Sequence, residues 1–236
     1  RSGIMTEASS HVLFDASEQL DASVMIPLRL ISTQDDGITG AIIKATNRQT
    51  EVKEEQLIAL SDFQKRLELF FQSFDDDHRL FYERRSRQYN NVHGVEKTRI
   101  VTPANLIRAY AAMFLAEPHR TTRTYRALLA NVGKEIFGPG HQLEPYYAAA
   151  YALYRLEFLF RNQALEAKFK PARYHILLAT RLLVDPADPP RPNSNEAKRF
   201  GERIGAALSE SVAADALLRR AAELVDRVAN GNFDRD

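Results

Sequence analysis

The stretch from Glu144 to Arg161, "EPYYAAAYALYRLEFLFR", decides how this chain is read. Tyr147, Tyr151, Tyr154 and Phe158 recur at i, i+4, i+7 and i+11, which is helical spacing. Alanines and leucines fill most of the remaining circumference, so the helix is apolar almost all round. A helix of that kind belongs in the middle of a core, not on its surface. The spacing therefore predicts the most buried helix of the chain, with those four rings packed inward as one stripe.

Outward from this helix the neighbours are also helical. "ARYHILLATRLLV", residues 172–184, is a second strong helix. Upstream, Thr102-Pro103 is a start signal, a threonine cap with proline in the first turn. It opens a helix that turns Leu106, Ile107, Tyr110, Met113 and Phe114 inward. "DPADPPRPNSN", residues 185–195, is Pro-rich and polar and breaks the pattern. Two amphipathic helices follow, over Ser194–Ser209 and Ser211–Ala229.

The first hundred residues are mixed. Ser10 caps a short helix over "SHVLFDASEQL", and "SVMIPLRLI", Ser23 to Ile31, alternates as a strand whose Pro27 puts it at an edge or a bulge. "AIIKATN" is a short helix that stops at Asn47. Glu51 to Phe74 holds two helices broken near Ser61, the second carrying Phe63, Leu67, Phe70 and Phe74 at helical spacing. "RLFYERRSRQY" fits a strand, and "KTRIVT" pairs with it across the loop "NNVHG". The expected fold class is α+β, predominantly α-helical, with a small sheet from Ser23–Ile31, Leu80–Tyr89 and Lys97–Val101. The expected division is a mixed part over 1–101, a helical part over 102–184, a linker over 185–195 and a helix pair over 196–236.

Composition sets the outer limits. With 236 residues, 44% of them hydrophobic and 27% charged, the chain can bury a real core and is neither fibrous nor disordered. No apolar run nears the roughly 20 residues that span a bilayer, so no membrane partner is expected. The absence of cysteine removes disulfides and thiolate chemistry, and suits a reducing cytoplasm. The opening "RSGIMTEASS" has neither an apolar core nor a cleavage pattern. It starts with Arg, as a tag remnant or a piece of a longer protein would.

The formal charge of +1 hides an asymmetry. Residues 1–78 hold 14 carboxylates against 7 Lys/Arg, while residues 79–126 hold 10 Lys/Arg against 3 carboxylates. At the head of that basic block stands "RLFYERRSRQYN", with four arginines, three aromatic rings and one carboxylate, Glu83. As a strand it would turn Tyr82, Arg84, Ser86 and Gln88 to one face and Glu83, Arg85, Arg87 and Tyr89 to the other. Arginine forks match phosphate, and rings offer stacking to bases. Internal ion pairs, with Glu83 or with the acidic first part of the chain, are the commoner use of such a run.

Other chemistry finds little support. The six histidines are scattered without ligand spacing, and "DDD" at 75–77 lacks the glycine and glutamate of a calcium loop. No phosphate-binding glycine loop and no GxSxG occurs. An E-x-K at Glu51–Lys53 would matter only if Asp36 lay beside Glu51, as a magnesium nuclease requires. No catalytic residue, no metal ligand and no cofactor is expected.

Taken in order, "SSHVLF", "VMIPLRLI", "IIKATNRQTEVKEEQL", "FQKRLELFF", "LFYERRSRQY", "RIVTPANLIRAYAAMFLAEPHR" and "PYYAAAYALYRLE" resemble the back half of the bacterial abortive-infection phage-resistance (AIPR) proteins. The resemblance runs from about Ser9 to about Leu183, and "ATNRQT" with "YERRSRQY" is its most specific part. In that family "SHVLF" follows an "NGxQT" segment, whose place is taken here by "RSGIMTEA". The resemblance thus implies a C-terminal piece of a larger protein, with any nuclease-like region upstream of it. It implies a role in defence against phage, and it carries over Asn47, Gln49, Tyr82, Glu83, Arg84, Arg85 and Tyr89 as matching polar residues without giving their roles. The expected function is a non-catalytic part serving binding, oligomerisation or regulation. Its expected partners are the missing N-terminal region and a second copy of the chain. The alternative is a nucleic-acid-binding or nuclease-associated domain that completes a site with the missing half. Arg84, Arg85 and Arg87 would then grip phosphate while Asn47 and Gln49 contact bases. Any nucleic-acid contact of this piece alone should be weak.

Overall fold

The chain divides into two compact units, residues 1–53 and 54–236. The computed structural model describes Ile38 and residues 61–236 except 86, 91, 123, 124, 134, 232 and 234–236. The helix at Ser10, the strand at 23–31, the "AIIKATN" helix, Asn47, Gln49 and the Asp36–Glu51 pair lie outside the described residues.

The second unit is predominantly helical with a minimal sheet. Its described elements begin with α1 (Asp62–Gln72), β1 (Phe81–Tyr82), β2 (Ile100–Val101), α2 (Pro103–Phe114) and α3 (Tyr125–Val132). They continue with α4 (Glu144–Arg161), α5 (Arg173–Val184), α6 (Asn195–Ser209) and α7 (Ser211–Ala229). The capping chemistry explains the boundaries. Ser61, Thr102 and Ser194 each accept a backbone N–H of the first turn of α1, α2 and α6. Glu210 does the same for two amides of α7, which stops α6 and starts α7 within a residue.

Helix α4 is the centre. Thirteen of its 18 residues are buried, which is more than one face can account for. It packs against α2, α5, α6 and α7. Its end is a Schellman motif: Gln163 turns left-handed at φ 55°, Ala164 N–H reaches Leu159 O at 2.9 Å and Gln163 N–H reaches Phe160 O at 3.3 Å. The expected stripe holds at Tyr147 and Tyr151, is only half-buried at Tyr154, and fails at Phe158, which is 38% exposed. Leu156, Leu159 and Phe160 take the core positions of that last turn instead. Phe158 lies beneath the Arg155 guanidinium, 5.5 Å from ring centre to carbon.

Gly201 lets α6 cross the first turn of α4 closely. A Cβ there would stand 2.5 Å from Pro145 N and 2.7 Å from Glu144 C, backbone atoms that cannot swing aside. Any side chain would push the two helices apart, at an overpacking cost of about 1–3 kcal/mol.

The sheet departs from expectation in its direction. β1 and β2 do pair, but in parallel, with Phe81 opposite Ile100 and Tyr82 opposite Val101. The ladder ends after Glu83 N–H meets Val101 O. Beyond it Arg84, Arg85 and residues 87–90 leave the strand for turns, with Arg87 at φ 61°. The strand expected over Leu80–Tyr89 is therefore two residues long. The cause is the pull of side chains on α1, described below.

His78 ties the loop after α1 to the end of α6. Its Nδ1 lies 2.6 Å from Asp75 Oδ1 and its Nε2 lies 3.2 Å from Ser209 O. Both partners are acceptors, and only the protonated ring donates at both nitrogens. The Asp75 hydrogen bond raises the His78 pKa above its ordinary 6.5 despite some burial, and Ser209 O adds to the rise. The stability this tie supplies is thus full below pH 6.5 and is lost as pH rises through the elevated folded value. Asp75, whose pKa the same bond lowers, contributes above 3.8 and loses its share as pH falls through its lowered value. Thermal unfolding followed from about pH 6 to about pH 9 should show a declining midpoint that His78→Gln flattens. An equal decline in both proteins would place the titration elsewhere.

Candidate functional site

The arginine-rich segment is organised by a row of polar side chains on α1. Gln64, Glu68 and Gln72 stand at i, i+4 and i+8, one above another on a single helical face. The other long face buries Phe63, Leu67 and Phe71 in the core. This places a carboxylate and two amides along the edge where β1 ends.

Each of these takes a partner from "YERRSRQY". Tyr82, fully buried, donates its hydroxyl to Gln64 Oε1 at 2.5 Å. Arg84 Nε donates to Glu68 Oε2 at 2.9 Å, with the two side chains only 7% and 14% exposed. Gln88 donates its amide to Glu68 Oε1, and its own Oε1 accepts from Arg85 N–H at 3.1 Å. Tyr89 completes the set, accepting from Gln72 Nε2 at 3.0 Å and donating toward Glu68 Oε1 at 3.4 Å. Burial, and then the Glu68 charge, push its phenol up to about 12, so it stays a donor at any ordinary pH.

The alternating faces expected of a strand hold in part. Tyr82, Arg84 and Gln88 do point together, toward α1. Tyr89, expected on the opposite face, joins them, because the left-handed Arg87 reverses the chain between Arg85 and Asn90. Glu83 is half-buried and serves the sheet through its N–H. Arg85 and Arg87 are exposed at the turn. Asn47 and Gln49 lie outside the described residues.

Much of the basic block beyond this segment is also engaged. Arg79 pairs with Asp76 at 2.8 Å, and Arg120 with Glu117 at 2.9 Å. Arg99 Nη1 donates to the carbonyls of Asp76, Asp77 and Arg79, fastening the acidic loop that "DDD" forms. Arg108 donates to Thr121 O at 3.0 Å. Among the described residues no three His, Asp or Glu side chains gather as metal ligands would. No described helix is long and apolar enough to cross a membrane.

The acceptor that organises the segment, Glu68, was not among the residues singled out from the sequence. Its signal was present: "Q-x-x-x-E-x-x-x-Q" is a polar row at period four running up a helix judged by its phenylalanines. Chemically the cluster is a clamp, a carboxylate ringed by a guanidinium, an amide and a phenol.

A family model described as AIPR protein matches residues 9–188. No curated protein and no solved structure matches the chain.

Proposed function

The chain belongs to the AIPR family of phage-defence proteins, and from that premise we propose that this piece is a non-catalytic module serving binding, oligomerisation or regulation. One observation carries the reading: Arg84, one of the three arginines that the sequence offers for gripping phosphate, is committed to Glu68 in a nearly buried ion pair. A phosphate would have to displace a carboxylate that Gln88 and Tyr89 also hold. The segment thereby locks α1 to the end of the sheet, and leaves outside partners to be met by other surfaces. Cleavage chemistry, on this reading, belongs to a region upstream.

A nucleic-acid contact is the second reading, favoured by the exposure of Arg85 and Arg87 on one turn. Two such cations give only weak, salt-dependent attraction to a phosphate backbone, with Kd on the order of 10⁻⁴–10⁻⁶ M at physiological salt. Labelled single- and double-stranded DNA and RNA should therefore stay intact with this chain and Mg²⁺. Any binding should fall with added salt and with Arg85→Ala/Arg87→Ala. Cutting by the purified chain, or tight binding insensitive to salt, would remove the non-catalytic reading.

A further inference from the structure

The corner where α6 gives way to α7 brings two helix ends together. Ser209 is the last residue of α6 and Ser211 the first of α7, with Glu210 alone between them. The positive end of α7 is met by the Glu210 carboxylate, which accepts from Val212 and Ala213 N–H at 3.0 and 2.6 Å. The negative end of α6 is met by His78, whose Nε2 reaches in from the loop after α1 to 3.2 Å from Ser209 O. The summed dipole of a 15-residue helix favours a cation at that position and gives a neutral ring no such advantage.

Loss of the ring proton acts on one side of His78 and not on the other. One nitrogen must then change from donor to acceptor. At Nδ1 the new lone pair would face the Asp75 carboxylate at 2.6 Å, and at Nε2 it faces only a neutral carbonyl at 3.2 Å. The remaining proton therefore stays on Nδ1, and Ser209 O is left opposite a second acceptor. The loop itself does not depend on the lost proton. His78 N–H donates to Asp75 Oδ1 at 3.0 Å, Tyr147 donates to His78 O at 2.6 Å, and Arg99 holds the carbonyls of Asp76, Asp77 and Arg79. Nor does the rest of the helix pair. Phe200 and Ile204 are buried, Gly201 seats α6 on α4, and Arg155 grips the first turn of α7 through Ser211 O at 3.0 Å and Asp215. What lets go is the last turn of α6.

The groups around the ring leave the titration to His78. From its own loop the Asp75 hydrogen bond, and then the charges of Asp75 and Asp77, favour the imidazolium against some burial. From α4 the Tyr151 ring stands 5.9 Å away, with Tyr147 beside it, and burial pushes both phenols up so that neither is charged. We propose that the last turn of α6 is fastened by a single proton, docked on His78 while the imidazolium persists and released from the loop after α1 once the ring is neutral. Global unfolding registers this as a loss of stability with rising pH, whereas the switch itself is local.

NMR of the isotopically labelled chain from about pH 6 to about pH 9 tests it. The Ser209 carbonyl shift should titrate with the His78 ring, at one shared midpoint above 6.5. The amides of Ala207, Leu208 and Ser209, corrected for intrinsic exchange, should lose about tenfold in protection across that midpoint, while those of Phe200 and Ile204 keep theirs. Asp75→Asn removes the carboxylate that holds the proton, so both midpoints should fall together. His78→Gln should leave the last turn of α6 without a transition. A Ser209 carbonyl that stays flat while the ring titrates, a midpoint that stays put in Asp75→Asn, or protection lost evenly along α6 would each overturn the proposal.

Discussion

Replacing Tyr147 by alanine is expected to lower the unfolding free energy by about 3–5 kcal/mol, and Phe158→Ala by about 1 kcal/mol or less. The two residues share a helix and a ring, and differ in what surrounds them. The Tyr147 ring lies flat on Phe74 at 3.7 Å and 4°, meets Phe71 edge-on at 5.5 Å, and stacks on Tyr151 at 5.6 Å. Its hydroxyl donates to His78 O at 2.6 Å, joining α4 to the loop that also carries the Asp75–His78 tie. Burial pushes that phenol far up, so it remains a donor across the working pH range. Alanine would remove an aromatic cluster's central member and leave a half-buried carbonyl without its donor. Phe158 has no comparable enclosure and rests on Arg155 at the rim. Denaturant titration of both variants, with Tyr147→Phe isolating the hydroxyl at about 1 kcal/mol, measures the difference. Equal losses at 147 and 158 would show that α4 is not seated as described.

The helices were legible because their signals are local. Thr102-Pro103 and Ser194 act within a few residues of themselves, and α2, α6 and α7 lie where capping and periodicity put them. Phe158 was misplaced because a helix that is apolar all round gives periodicity little to distinguish one face from another. The sheet was harder for a different reason. A parallel ladder of two residues leaves almost no alternation to read, and its direction is set by where residues 83–99 travel between the strands. That path depends on Glu68 and Gln72, some 20 residues upstream, which no local rule connects to Arg84, Gln88 or Tyr89. The basic segment itself was plain in the sequence. Its partner was not, since an isolated glutamate on a charged chain carries no mark of burial. The left-handed Arg87, which moves Tyr89 to the α1 side, is likewise a consequence of tertiary contacts and not a propensity of arginine.

Removing Arg84 alone should be costly in a way that removing the whole pair is not. Arg84→Ala leaves the Glu68 carboxylate, 14% exposed, facing Gln88 and Tyr89 with no cation, and is expected to cost about 3–5 kcal/mol. Glu68→Ala should cost a similar amount, because it takes the carboxylate away from a nearly buried guanidinium and unties two further donors. An apolar pair of similar volume, Arg84→Met with Glu68→Leu, restores packing without either charge, and should recover most of the loss. A phosphate-gripping arginine would behave oppositely. Its truncation would leave stability within about 0.5 kcal/mol, and the double change would be no better than the single one. The same set can be carried into phage-plating assays of the full-length protein. With a clamp at this position, protection should follow stability, falling in the two single variants and returning in the apolar pair. Protection lost in the pair despite recovered stability would mean that the Arg84 charge itself is needed outside the fold, and the nucleic-acid reading would then displace the structural one.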